Sequence, residues 1–473
     1  MSQVEGRVRE APVRSDVRAT ARRRVTIGVA GTSSFLVLAG TTVVTLALPS
    51  LERGLGGGPA AGEWVVNGYT LAFAAILLGA GTLSDTFGAR RIFLTGLVIV
   101  FAAATVSALV DGMGPLIAAQ FVQGAGAALL LPSSLTLATA TAPDARGRAR
   151  VIGVWAAVGG VGMAAGPLVG GVLLATVGWR AVFGFSAVVA LAAIGVTVPA
   201  TRPVPVRPRR LDVAGLLAAV VLSAGLVFAL IEGPHLGWAT PAVLIALAAF
   251  VLGAAAFVLA ERRAPDPLLP LRLLRYADFT GSALLGMLFN FAFYGLMFAL
   301  SLLLQQAKGL SPLATGLTFV SLTGLIAVGN LLAPVLVHRH GAAAVLYAGE
   351  TLFATGIIAA AITAPMATRW PLLLALLPAG FGGGLVMPTL TARMLESAPT
   401  HLSGAASAAF NTSRQIGSAI GVAVFGALLS SGAELTGAFR LGLGVAVAAV
   451  MASGVLVATT LRGREPRRNE ARP

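Results

Sequence analysis

Chemistry in this chain has to be done with few groups. It has no cysteine, four histidines and 18 acids in 473 residues, so thiolate chemistry and cysteine-based metal sites are excluded. His235, His338, His340 and His401 are scattered. His338 and His340 alternate in "VHRHG", but no carboxylate stands close by, so the constellation an enzyme needs is missing from local sequence. More informative is "GTLSDTFGARR" (81–91), where Asp85 lies one helical turn beyond Gly81 and just before Arg90 and Arg91. An acid at a helix C-terminus is disfavoured by about 0.3–1 kcal/mol and calls for a partner. Arg90, Arg91 or another helix N-terminus could supply it, making the turn a latch; a solvated turn that only fixes topology explains the same residues. Within long apolar stretches stand Glu350 and Arg414, with Glu232 near the end of another. Glu350 is the deepest acid and the candidate for exchanging a proton. A polar-cluster role is its plain alternative.

The elements that must position these groups are membrane spans. The chain is 57% hydrophobic and 11% charged, with a mean hydropathy of +0.89, beyond what a water-soluble domain can hide. A bilayer core takes about 20 apolar residues per helix. Stretches of that kind fall at 26–48, 64–84, 91–110, 115–140, 151–174, 180–199, 211–231, 241–260, 279–304, 313–336, 342–364, 370–391, 403–430 and 437–460, fourteen in all. The fold class is therefore an all-α polytopic membrane protein.

A formal charge of +15 does not signal nucleic acid here, because the basic residues sit in short loops and tails. With a cytosolic N-terminus, inside segments hold Arg90, Arg91, Arg146, Arg148, Arg150, Arg202, Arg207, Arg209, Arg210, Arg262, Arg263, Arg272, Arg275, Arg339 and Arg393. Outside loops hold only Arg53, Arg180, Lys308 and Arg369. That alternation is the positive-inside pattern and puts both termini in the cytosol, with the spans in the cytoplasmic membrane. The first 24 residues carry seven arginines but lack the apolar core and cleavage site of a signal peptide. They read as a disordered basic tail drawn to anionic headgroups.

Two polar connectors, "PATRPVPVRPRRLD" and "ERRAPDPLLPLRLLRYAD", divide the chain. The organisation read from them is a tail at 1–25, a six-helix bundle at 26–199, a linker with two additional spans at 200–278, a second six-helix bundle at 279–460 and a tail at 461–473. "PLRLLRYADF" in the second connector predicts a short interfacial helix. "AGTLSDTFGARRIFLTG" (80–96) overlays "APVLVHRHGAAAVLYAG" (333–349) without a gap, pairing Ala80, Gly88 and Gly96 with Ala333, Gly341 and Gly349. Both copies lie between the second and third spans of a bundle, which points to a duplicated, two-half transporter.

Within the spans, "GGVGMAAGPLVGG" (159–171) repeats Gly162, Gly166 and Gly170 every four residues beside Pro167. Such a strip lets another helix approach closely, and the proline removes a backbone donor. Tight packing alone also explains it. Polar groups in the spans are mostly neutral: Asn67, Tyr69, Gln120, Gln123, Asn290, Gln305 and Asn330. Trp155 and the segment "MLFNFAFYGLMF" stand among them, with Phe289 and Phe293 on one stripe and Asn290 and Tyr294 on another. A mostly apolar pocket with a few hydrogen-bonding groups suits amphipathic or aromatic organic compounds, although aromatic stripes also serve helix packing.

Taken together, the chain from about 26 to 460 resembles the major facilitator superfamily, specifically its fourteen-helix drug:H+ antiporter group. "GTLSDTFGARR" resembles the cytosolic loop motif of that family, with Thr86 and Ala89 where basic residues are common, and "GGVGMAAGPLVGG" resembles its antiporter motif. "QFVQGAGAALLLPSSL", "ALIEGPHLGW", "LLLQQAKGLSPLATGL" and "NTSRQIGSAIGVAVFG" add matches in the same order. The resemblance implies gating by Asp85 with Arg90 or Arg91, by the glycine strip at the contact between halves, and by Arg414. It implies alternating access with the additional helix pair placed peripherally.

The departures concern coupling. Where proton-coupled members have an acid in the first span, "AGTTVVTLALP" has Gly40, and Gln120 stands where an arginine usually precedes Gln-Gly. Losing both charges together is self-consistent, since one left unpaired in the membrane would be costly. The expected function is export of hydrophobic or amphipathic compounds by a chain needing no cofactor beyond a possible proton gradient, for which a monomer suffices. An uncoupled facilitator is the alternative, ahead of a membrane sensor or enzyme.

Overall fold

The computed structural model describes residues 11–142, 144–204, 206, 210–366, 368–399, 402–429 and 434–461. Fourteen long helices are present: α1 (Ala11–Leu55), α2 (Pro59–Phe87), α3 (Ala89–Leu109), α4 (Met113–Thr139), α5 (Ala145–Thr176), α6 (Trp179–Ala200) and α7 (Val213–Leu236). They continue with α8 (Pro241–Arg263), α9 (Ala277–Leu302), α10 (Pro312–His340), α11 (Ala342–Thr363), α12 (Trp370–Ser397), α13 (Ser403–Leu429) and α14 (Leu435–Leu461). Each contains a stretch long and apolar enough to cross a bilayer, so the chain is a multi-pass membrane protein. Residues 11–25, expected as a disordered tail, instead continue α1 as helix; Arg7 and Arg9 lie outside the described residues. The short interfacial helix takes the form of a 3₁₀ turn, Leu271–Arg275.

Helix ends follow local chemistry. Asp144, Asp212 and Ser311 cap α5, α7 and α10 by accepting from the backbone N–H of Gly147, Gly215 and Ala314, which satisfies donors that have no partner within the helix. At the α2–α3 turn Gly88 has φ +92°, and at the α10–α11 turn its repeat partner Gly341 has φ +84°. That left-handed region strains any residue with a Cβ. The other repeat positions also do one job twice. Ala80 and Ala333 are buried, and a methyl group on Gly96 or Gly349 would press on the Gly126 or Gly382 carbonyl at 2.9 and 3.0 Å. In lipid, helix association gains little from apolar burial and depends on such close approach.

Helices α1 to α6 pack mainly on one another, as do α9 to α14, giving two six-helix bundles with α7 and α8 added. The additional pair is only partly peripheral. α8 rests on α7 and the 3₁₀ turn, but α7 lies against both α2 and α13, and so touches each bundle. Val227 and Ile231 of α7 bury with Leu71 of α2 and with Ala419 and Ala423 of α13.

Candidate functional site

The seam between the bundles is built from three helix pairs. Along α5 and α10, Gly160 lies opposite Asn330 and the Thr323 hydroxyl reaches the Ala164 carbonyl at 3.4 Å. Further on, Gly316 abuts the Pro167 carbonyl, and a methyl group on Gly171 would meet Leu313 at 3.1 Å. Along α2 and α13, Thr412 donates to the Ala74 carbonyl at 3.3 Å, and Gly426 lies against Glu63. Between α1 and α9, Ser301 donates to the Thr45 carbonyl and Gln305 to the Leu46 carbonyl, both at 2.9 Å. Gln306 then donates to Glu52 at 2.9 Å. These contacts run from mid-helix to the end bearing the α1–α2 turn, and one continuous apolar core, from Val43–Leu51 of α1 to Leu296–Leu304 of α9, seals that end.

Gln305 and Gln306 owe their aim to a π turn, Leu303–Ala307, at the end of α9. One extra residue per turn changes the facing of the side chains that follow. Gln305 was expected in the cavity and instead bridges α9 to α1.

The glycine strip faces elsewhere than the resemblance implied. A methyl group on Gly162 would meet Phe35 at 2.8 Å, one on Gly166 would collide with Thr42, and one on Gly170 would meet Val43 at 2.7 Å. All three therefore press α5 onto α1 of the same bundle. The contact with the other bundle uses the neighbouring face, Gly160, Ala164, Pro167 and Gly171, because positions three and four apart share a face and the strip is offset from it.

At the α2–α3 turn, Asp85 is half-buried and Arg91 exposed. Arg90 donates from Nε to the Thr201 hydroxyl at 3.1 Å and from a terminal nitrogen to the Val198 carbonyl at 2.8 Å. It thus ties α3 to the end of α6. Arg414 lies on α13 against α9, donating to Asn411 Oδ1 at 3.2 Å with its guanidinium 5.7 Å from the Phe410 ring. Among the described residues neither Arg90 nor Arg414 forms an ion pair with Asp85.

A small cavity, with room for about one water molecule, lies in the first bundle beside Gly40, Thr41, Tyr69, Thr70, Gln120 and Gln123. A second small cavity shares Gly40, Val44 and Gln123 and runs on to Phe35, Gly166 and Phe183. The position of the missing acid is thus on the cavity wall, and a side chain begun at Gly40 would meet no atom within 4 Å. Where the family arginine is absent, Gln120 donates to Gln123 Oε1 at 3.2 Å and to Ser107 at 3.4 Å. Asn67, close by on α2, is fully buried with neither polar atom hydrogen-bonded among the described residues.

Other expected cavity residues are spent on packing. Trp155 donates to Ser134 at 3.1 Å within the first bundle. Phe289 stacks on Phe293 at 6.2 Å and lies 4.6 Å from Phe353, inside the last bundle. Asn290 donates to Ser418 of α13 at 3.3 Å. Tyr294, half-buried, lies edge-on to the Phe293 ring at 5.1 Å. Glu350 is buried between α11 and α14, accepting from Ser453 at 2.9 Å, and lies away from the seam and both cavities.

Sequence reading missed Glu52, Glu63 and His235. It began the second span at residue 64, whereas α2 begins at Pro59 and buries Glu63 to 1% exposure. The signal was available in "GEWVV" and "IEGPH", where acids stand at the same ends of two spans and Glu232 and His235 are one turn apart.

A Major Facilitator Superfamily profile matches residues 30–422. The methylenomycin A resistance protein of Streptomyces coelicolor is 34% identical, over 88% of this chain and 89% of that protein. The tetracenomycin C resistance and export protein of Streptomyces glaucescens is 33% identical, over 84% and 74%. Among solved structures, the human organic anion transporter MFSD10 aligns with TM-score 0.65 at 16% identity, covering 92% of this chain and 99% of that one. The POT family transporter PepTSo aligns at 0.69 and 14%, covering 93% and 99%. Two six-helix bundles meeting along a seam, a cavity beside it and these likenesses converge: the chain belongs to the Major Facilitator Superfamily and is a membrane transporter, not an enzyme.

Proposed function

We propose that this protein exports small hydrophobic or amphipathic organic compounds of the natural-product class from the cytosol, by alternating access of a site between the bundles. The observation that carries the reading is the seam, sealed from mid-helix to the α1–α2 end beside a neutral, partly polar cavity. The arginine distribution supports reading that sealed end as the outer face of the cytoplasmic membrane, with both termini in the cytosol. Relatives named for methylenomycin A and tetracenomycin C resistance point to the same cargo class. Apolar walls bind such a compound, and Tyr69, Gln120, Gln123 and Tyr294 orient it through a few hydrogen bonds.

A second reading, facilitated diffusion through the same fold, has Gly40 and Gln120 in its favour, because the cavity lacks the charge that would exchange a proton there. Methylenomycin A uptake into inverted proteoliposomes, with and without an imposed pH gradient, separates the two. Accumulation above the outside concentration that collapses with the gradient is expected for coupled export. Equilibration at the same level with either gradient establishes the facilitator, and no protein-dependent uptake of any tested compound overturns export.

A further inference from the structure

The most unusual polar group in the molecule is Glu63. Its side chain is buried at the sealed end of the seam, 1% exposed, and neither carboxyl oxygen has a hydrogen-bond partner among the described residues. Every neighbouring element approaches it closely. From α7, His235 Nε2 stands 3.8 Å from Oε1, with its own side chain 24% exposed. Also from α7, Glu232 is the second charged neighbour, held by the Trp64 indole N–H at 2.7 Å. From α1, Glu52 is the third, held by Gln306. α13 presents only Gly426, where a methyl group would collide with the Glu63 carboxyl. α4 presents Phe121, which packs on Trp64.

An ionised carboxylate sealed there would face two other acids without a donor, an arrangement that is costly in a dry interior. A proton on the Glu63–His235 pair removes the cost, either as a neutral acid beside neutral imidazole or as an ion pair. At 3.8 Å the two groups can share it. We propose that Glu63 and His235 form a proton-binding site in the outer gate, which holds one proton while the α2–α7–α13 contact is closed and releases it when that contact opens to water. The inference rests on the reading of this end as the outer face of an alternating-access exporter. The partly exposed imidazole gives the proton its way in and out. Because the closed state binds the extra proton, external acid favours closure and external alkali favours opening. The additional helix α7, through Glu232 and His235, is thereby part of the gate.

The chain contains no cysteine, so spin labels at Thr176→Cys and Ala307→Cys, both exposed at this end on opposite bundles, report gate distance by pulsed electron resonance. The full chain in lipid nanodiscs is measured from about pH 5 to about pH 9, a window on both sides of the ordinary imidazole value. The closed, short-distance population should rise as pH falls, by up to about tenfold per unit for one proton. Glu63→Gln should hold the gate closed at every pH, and His235→Gln should move the transition to lower pH. Should Glu63→Gln not fold, the His235→Gln shift still decides. A response unchanged by both substitutions, or no response in the parent chain, overturns the proposal, as does closure driven by sodium or potassium at constant pH. The readout needs no cargo. Failure of the export reading therefore appears as missing uptake with an intact gate response, and failure of this site as the reverse.

Discussion

At the centre of the first bundle, α1, α2 and α4 leave open space against Gly40, Tyr69, Gln120 and Gln123. At the centre of the last bundle, α9, α11 and α12 close on Phe289, Phe293 and Phe353, with the Phe289 ring 3.0 Å from where a side chain on Gly383 would begin. The two bundles share their turns and close helix contacts, and their centres differ in lining: polar side chains around a small cavity in the first, packed phenylalanine rings in the last. The reading to test is that the first centre orients cargo while the last holds shape.

The hardest test strikes the feature both centres share. A methyl group on Gly124 would overlap the Tyr69 carbonyl, and one on Gly380 the Leu322 carbonyl. Gly124→Val and Gly380→Val should each abolish uptake, the overpacking costing about 1–3 kcal/mol or more; survival of either would show that its bundle tolerates wider spacing. Next, Gln123→Leu should lower uptake about tenfold, since it leaves Gln120 only the longer contact to Ser107 at 3.4 Å, a loss of about 1 kcal/mol. Phe289→Leu should lower thermal stability while changing apparent substrate affinity by less than about twofold. A larger affinity change at Phe289 than at Gln123 would break the division between the centres.

Smaller effects sharpen it. Gly40→Asp has room for its side chain, so the protein should fold and gain gradient-dependent accumulation of about fivefold, equivalent to about 1 kcal/mol. A fall in protein yield with no gain would mean that the cavity cannot hydrate an acid. Glu350→Gln keeps the shape and the Ser453 contact, and should alter gradient dependence by less than about twofold, about 0.4 kcal/mol. Loss of coupling in that variant would return the proton to the last bundle.

Much of this was legible in the sequence because lipid imposes blunt rules. A span needs length and apolarity, its ends are marked by arginines, and a glycine at a turn with positive φ survives duplication, as Gly88 and Gly341 do. The polar lining at Tyr69, Gln120 and Gln123 was legible as well, since neutral polar groups in a span need a partner or a cavity. The face of the glycine strip was not. Gly162, Gly166 and Gly170 advertise close approach without saying to which neighbour, and only the packing of α5 on α1 chose it.

The acids at the α1–α2 end were hidden for a related reason. Residues 52 and 63 flank a short turn, and hydropathy cannot tell whether an acid at a span's end is bathed in water or covered. The chain alone determined fourteen apolar spans and the absence of a charge at Gly40, because each is a property of residues near in sequence. Only tertiary structure decided that α7 stands against α2 and α13, that Glu350 lies between α11 and α14, and that Glu63 is sealed beside His235. Those are meetings of residues more than a hundred positions apart, and burial by a distant helix, not residue type, sets what a carboxylate there can do.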